Sequence, residues 1–75
     1  MDQIKIGKFI AKMRKKQSYT QRQLADILGI SDKTVSKWET GSGFPEVSLI
    51  MPLCDALHIN VNELHSVAQK GHPAS

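Results

Sequence analysis

The side chains best suited to polar chemistry gather in the first forty residues. Asp32, Lys33, Ser36 and Lys37 recur at a spacing that places all four on one side of a helix. They offer two ammonium donors, a carboxylate acceptor and a hydroxyl able to do either. Around them, residues 1–40 hold nine Lys/Arg against Asp2, Asp26, Asp32 and Glu39, a net of +5. Residues 41–75 hold Lys70 against Glu46, Asp55 and Glu63, a net of −2. A basic front and a mildly acidic back make an oriented electrostatic face, of the kind that meets phosphates.

Other chemistries find less support. His58, His65 and His72 lie seven apart, but no carboxylate or thiol cluster accompanies them, so they are expected on the surface rather than on a metal. Cys54 is the single cysteine. It can form neither an internal disulfide nor a multi-cysteine zinc site, and it is expected as a core filler in a protein of the reducing cytoplasm. There is no glycine-rich phosphate loop, no paired acids in an obvious pocket and no nucleophile with a base in proper context. With 75 residues there is also little room for a cleft. The expectation is a non-enzyme without a cofactor. No apolar stretch approaches the roughly 20 residues that span a bilayer, and Met1–Ile10 lacks the features of a signal peptide. Hydrophobic residues at 40% and charged ones at 23% fit an ordinary globular domain.

The elements that position these residues are helices. Ile6, Phe9, Ile10 and Met13 recur at spacings of three and four, with the lysines at 5, 8, 12, 15 and 16 mostly off that stripe, which predicts an amphipathic helix over 1–16. Thr20 with Gln23 has capping-box spacing. Leu24, Ala25 and Leu28 then give a second helix its apolar face, and Gly29 suits the left-handed residue that ends it. Ser31 caps a third helix, with Asp32 in its first turn. Val35 and Trp38 point one way and the Asp32–Lys37 polar set the other, and Gly41 ends this helix as Gly29 ends the second. Phe44-Pro45 opens a fourth, expected to be well buried through Val47, Leu49, Ile50, Leu53, Cys54 and Leu57. Pro52 within it predicts a lost backbone bond and a bend. Asn60 caps a last helix over 61–67. The expected organisation is one all-α, five-helix domain over 1–68 with a flexible tail over 69–75, and no repeat or hairpin.

Helix, three-residue turn and helix across Thr20–Gly41 have the geometry of a DNA-binding helix-turn-helix. The string Thr20-Gln21-x-x-Leu24-Ala25-x-x-Leu28-Gly29-Ile30-Ser31-x-x-Thr34-Val35-Ser36-Lys37-Trp38-Glu39-x-Gly41 resembles the XRE family of phage-repressor and Cro type. The likeness extends forward to Ile10-x-x-Met13-Arg14 and onward through Pro45, Leu53-Cys54, Leu57, Ile59, Val61 and Glu63-Leu64, about residues 4–66. The sequence departs from the family at His58, where a glycine often ends the fourth helix, and at Pro52.

The resemblance implies a λ-repressor-like fold and a transcriptional regulator, a repressor, on a near-palindromic double-stranded operator. It implies that Asp32, Lys33, Ser36 and Lys37 reach base edges, where lysine donates to guanine, aspartate accepts from cytosine and serine does either. It implies phosphate contacts from Thr20, Gln21, Arg22, Ser31, Thr34, Thr40 and Ser42, which set register without reading sequence. It also implies an ion pair between Arg14 and Glu39 that fixes the angle of the third helix. Trp38 is expected in the core rather than against bases. Such proteins bind as homodimers, and the C-terminal helices, with Leu57, Ile59, Val61, Leu64 and Val67, are the expected dimer surface. The expected localisation is cytoplasmic, at the nucleoid, with no membrane partner. An alternative is a protein-interaction module such as an antitoxin. The basic, polar face at Asp32–Lys37 disfavours it, since a protein interface wants aromatic anchors.

Overall fold

Capping chemistry sets where each helix of this chain starts and stops. A computed structural model describes residues 3–69, with side-chain environments through Val67. Five helices follow in order: α1 (Gln3–Lys16), α2 (Gln21–Leu28), α3 (Asp32–Glu39), α4 (Val47–Leu57) and α5 (Val61–Gln69). No strand occurs among the described residues. Most of the proposed tail, residues 70–75, lies outside them.

Both halves of the Thr20/Gln23 capping box are formed. The Gln23 N–H donates to Thr20 Oγ1 at 3.0 Å and the Thr20 N–H donates to Gln23 Oε1 at 2.8 Å. A second box, not anticipated from sequence, opens α5. There the Glu63 N–H donates to Asn60 Oδ1 at 2.8 Å and the Asn60 N–H to Glu63 Oε1 at 3.1 Å. Each box satisfies two backbone donors that a helix start leaves unpaired.

Four helices end in one way. Ser18, Gly29, Gly41 and His58 have φ of 64°, 73°, 81° and 57°. Behind each, the next residue's N–H returns to a carbonyl in the last turn: Tyr19 to Arg14, Ile30 to Ala25, Ser42 to Lys37 and Ile59 to Cys54. This is the Schellman closure. The two glycines adopt it without steric cost. His58 does not, since an L-residue pays roughly 1–2 kcal/mol in the left-handed region. His58→Gly is therefore expected to stabilise the domain by about 0.5–1 kcal/mol, after allowing for the freer unfolded chain. Urea unfolding checks this, and an unchanged or lowered midpoint refutes it.

The core takes Ile6, Ile10 and Met13 from α1, Leu24 and Ala25 from α2, Val35 and Trp38 from α3, Leu53, Cys54, Ala56 and Leu57 from α4, and Leu64 from α5. Phe9, Leu28 and Ile30 pack against it. Each fully buried aliphatic side chain contributes about 1.5–3 kcal/mol. Pro52 lies inside α4, as expected. The helix is less buried than expected at its start, where Val47 is 90% exposed and Met51 58%. Leu53, Cys54, Ala56 and Leu57 are buried in the core and Leu49 and Ile50 pack half-buried against it, so within the apolar run at 47–51 only Val47 and Met51 are surface.

Candidate nucleic-acid interface

α3 is held from behind and open in front. Val35 and Trp38 are buried, while Lys33 and Lys37 on the outward side are exposed and Asp32 and Ser36 half-buried. Trp38 is thus a core residue, as its spacing predicts. The small, fully buried Ala25 lies on the side of α2 that faces the core, and Gly29, at φ 73°, turns the chain from α2 toward α3. Gly29 N–H bonds the Asp26 carbonyl at 3.2 Å and Ile30 N–H the Ala25 carbonyl at 2.9 Å.

The expected ion pair joins Arg14 and Glu39. Arg14 Nε donates to Glu39 Oε2 at 2.7 Å and Nη2 to Oε1 at 3.1 Å, a bidentate fork. The third guanidinium nitrogen, Nη1, donates to the Tyr19 carbonyl at 2.7 Å. Both side chains are about nine-tenths buried, with 10% and 7% exposure. Arg14 lies in the last turn of α1, where a cation suits the helix dipole. Glu39 ends α3, where an anion does not, so the guanidinium supplies what the dipole withholds. One guanidinium thereby ties the end of α1, the entry to α2 and the end of α3.

Gln21 joins the same cluster. Its Nε2 donates to Glu39 Oε1 at 3.0 Å, which couples the first residue of α2 to the last of α3. One amide hydrogen is spent there and one remains for another acceptor. This bond was not anticipated. Neither was the role of Gly7, which is buried in α1. A β-carbon at that position would overlap the Trp38 carbonyl oxygen and lie 3.0 Å from the Glu39 carbonyl. Here α1 and α3 cross backbone to backbone. The available signal was an isolated glycine inside a strong helical pattern, which usually has a packing reason.

The remaining hydroxyls cap or brace helix ends. Ser31 Oγ accepts from the Thr34 N–H at 3.3 Å and lies 3.0 Å from Thr34 Oγ1. The Thr40 hydroxyl turns back to the Ser36 and Lys37 carbonyls at 3.1 and 3.2 Å, with Ser42 Oγ 3.3 Å away. Thr20 is occupied in its capping box. Arg22 and Asp26 form an exposed pair at 3.4 Å, worth about 0–1 kcal/mol. Capping and phosphate contact are compatible, since a hydroxyl that accepts from backbone can still donate outward.

No trio of His, Cys, Asp or Glu able to hold a metal converges among the described residues. His72 lies outside them. Burial pushes the Cys54 thiol above its ordinary pKa, with the Asp55 and Glu63 carboxylates adding to the effect. It stays protonated and unreactive at neutral pH. No described helix is long and apolar enough to cross a membrane.

A family model described as helix-turn-helix matches residues 10–64. The chain is 39% identical over 61 residues to the cryptic phage CTXphi transcriptional repressor RstR of Vibrio cholerae, covering 81% of this chain and 54% of that protein. It is 32% identical over 57 residues to the HTH-type transcriptional activator BcrR of Enterococcus faecalis, covering 76% of this chain and 28% of that one. The chain thus spans about half or less of the length of these two relatives. Among solved structures, the restriction-modification controller protein C.AhdI of Aeromonas hydrophila superposes with a TM-score of 0.77 at 28% identity, covering 84% of this chain and 91% of that one. The clp gene regulator ClgR of C. glutamicum does so at 0.80 and 25% identity, covering 91% and 88%. With the capped α2–turn–α3 unit, the Arg14–Glu39 fork and a match across most of its length, this chain belongs to the XRE-type helix-turn-helix family.

Proposed function

We propose that this chain is a sequence-specific, double-stranded-DNA-binding transcriptional regulator of the cytoplasm and nucleoid that represses by occupying a near-palindromic operator. The observation that carries this reading is α3 itself. Its inner side is buried at Val35 and Trp38 and its end clamped by Arg14, while Lys33 and Lys37 stand exposed. A rigid helix with a polar outer face suits the major groove. Lys33 and Lys37 donate to guanine edges, Asp32 accepts from cytosine, and Ser36 adapts to either. Gln21, with its remaining amide hydrogen and the start of α2, takes a phosphate. Thr20, Arg22, Ser31, Thr34, Thr40 and Ser42 supply further backbone contacts that fix register. Repression is supported by the likeness to the phage repressor RstR. Likeness to an activator leaves the output dependent on where the operator lies relative to polymerase.

A homodimer places two such helices on one duplex. The surface proposed for it needs revision from the sequence reading, because Leu57 and Leu64 are in the core. What remains open toward the C-terminal end is an apolar groove of about 370 Å³ bordered by Val47, Ile50, Val61 and His65, with Ile6 and Leu64 also lining it.

Selection of bound duplexes from a random DNA library at stated salt tests the reading. The expected result is an enriched inverted repeat. Lys37→Ala is expected to relax preference at particular base positions, with about 1–3 kcal/mol lost per contact. Absence of any enriched sequence would overturn sequence-specific recognition and favour a protein-binding role for the fold.

A further inference from the structure

The charge of this chain does not lie where the reading helix is. The helix-turn-helix unit over residues 20–41 holds Arg22, Lys33 and Lys37 against Asp26, Asp32 and Glu39, a net of zero. α4 and α5 carry only Asp55 and Glu63. α1 carries Lys5, Lys8, Lys12, Arg14, Lys15 and Lys16 with no acid. Glu39 pairs with Arg14; with that pair counted as neutral, the α1 lysines hold +5 and the helix-turn-helix unit +1, against −3 from Glu46, Asp55 and Glu63.

These lysines form one surface. At 3.6 residues per turn, an arc of about 100° around α1 contains five helix positions, and all five are lysine. The arc runs about 16 Å along the axis. All five residues are exposed. Among the described residues no carboxylate lies within ion-pairing distance of Lys8, Lys12, Lys15 or Lys16. The arc lies opposite the stripe of Ile6, Ile10 and Met13, and Lys8, Lys12 and Lys15 stand roughly 80–140° around the axis from Gly7, where α1 meets α3. It is carried by a different helix from Lys33 and Lys37 and is turned away from the α1–α3 contact.

We infer that the lysine arc of α1 is a second, sequence-independent site for a phosphodiester backbone. The composition of the arc selects this partner. Lysine is a flexible point charge without a planar fork, suited to a row of phosphates and poor at geometric readout. Protein interfaces are depleted in lysine and want aromatic or apolar anchors, and the arc has none. The apolar stripe of α1 is already spent in the core, and Ile4 is the one large apolar side chain the helix leaves exposed, too little to anchor it in a membrane. The reading unit brings only Arg22, Lys33 and Lys37 as cations, so it releases few counterions by itself, and the arc adds to them. The phosphates belong either to the operator's flanks or to a second duplex.

The test uses the full chain and duplexes of arbitrary sequence, 12 and 40 base pairs long. Affinity is measured against salt for the wild type and for Lys8→Gln/Lys12→Gln/Lys15→Gln, after circular dichroism establishes that the variant is folded. Because each neutralised phosphate contributes about 0.9 to the slope of log K against log[salt], the triple variant is expected to lose about 2–3 from that slope. A control, Met51→Glu/Asn62→Asp/Ser66→Asp, makes the same change in net charge on exposed positions of α4 and α5. It is expected to leave the slope near that of the wild type. Loss of slope on the 40-mer alone identifies flanking phosphates. Loss on both lengths, with two 12-mers bound per protomer, identifies a second duplex. An unchanged slope on both lengths, or an equal loss in the control, overturns the proposal. The outcome is independent of the operator reading: selection from random DNA can fail while the slope still falls, and it can succeed while the slope stays put.

Discussion

Glu39→Ala is expected to cost about 3–5 kcal/mol of folding stability, because it strands a guanidinium that is about nine-tenths buried. A domain of this size has roughly 4–11 kcal/mol in all, so the variant should be largely unfolded near body temperature. Arg14 would keep its bond to the Tyr19 carbonyl but lose both bonds to the carboxylate. Gln21 would lose its acceptor as well. Glu39→Gln keeps one acceptor oxygen and should cost less. Replacing both partners, as in Arg14→Met/Glu39→Leu, should recover much of the loss, because no charge is then left without a partner. Denaturant unfolding of the single and double variants gives the coupling energy. A coupling below about 1 kcal/mol would place the fork among ordinary surface pairs and remove it as the device that sets the angle of α3.

Gly7→Ala runs against helix propensity, which makes its sign informative. Within a free helix the change should stabilise by about 1 kcal/mol. In this domain the new methyl meets the Trp38 carbonyl oxygen and the Glu39 backbone. Both are main-chain atoms, so no rotamer change relieves the overlap, and α1 and α3 must move apart. The expected net cost is about 2–3 kcal/mol, read as a fall in Tm of roughly 10–20 °C for a domain of this length. The same displacement shifts the end of α3 relative to α2. Operator affinity should therefore fall further than the loss of folded protein explains. A variant as stable as the wild type would mean that the two helices are free to slide, and that the close crossing does not set the position of α3.

Local chemistry determined much of this protein without any tertiary information. Thr20 with Gln23, Ser31 before Asp32, and the glycines at 29 and 41 each act within one turn of chain, so the bounds of α2 and α3 followed from neighbouring residues alone. The stripe Ile6–Ile10–Met13 and the pair Val35–Trp38 named their buried faces for the same reason, since the period of a helix is itself local. The family pattern added the pairing of Arg14 with Glu39, twenty-five residues apart, which no local rule supplies. Tertiary structure decided what depended on a distant partner. Ser18 and His58 take the left-handed conformation against their own preference, because the chain must reverse there to pack the next helix. Val47 and Met51 stay outside, since α4 has only one side to offer the core. Gln21 found Glu39, and Gly7 let α3 come within backbone contact of α1. Hydrogen bonds between distant side chains and close approaches of backbone exist only once the helices are assembled, so no spacing in the chain could have announced them.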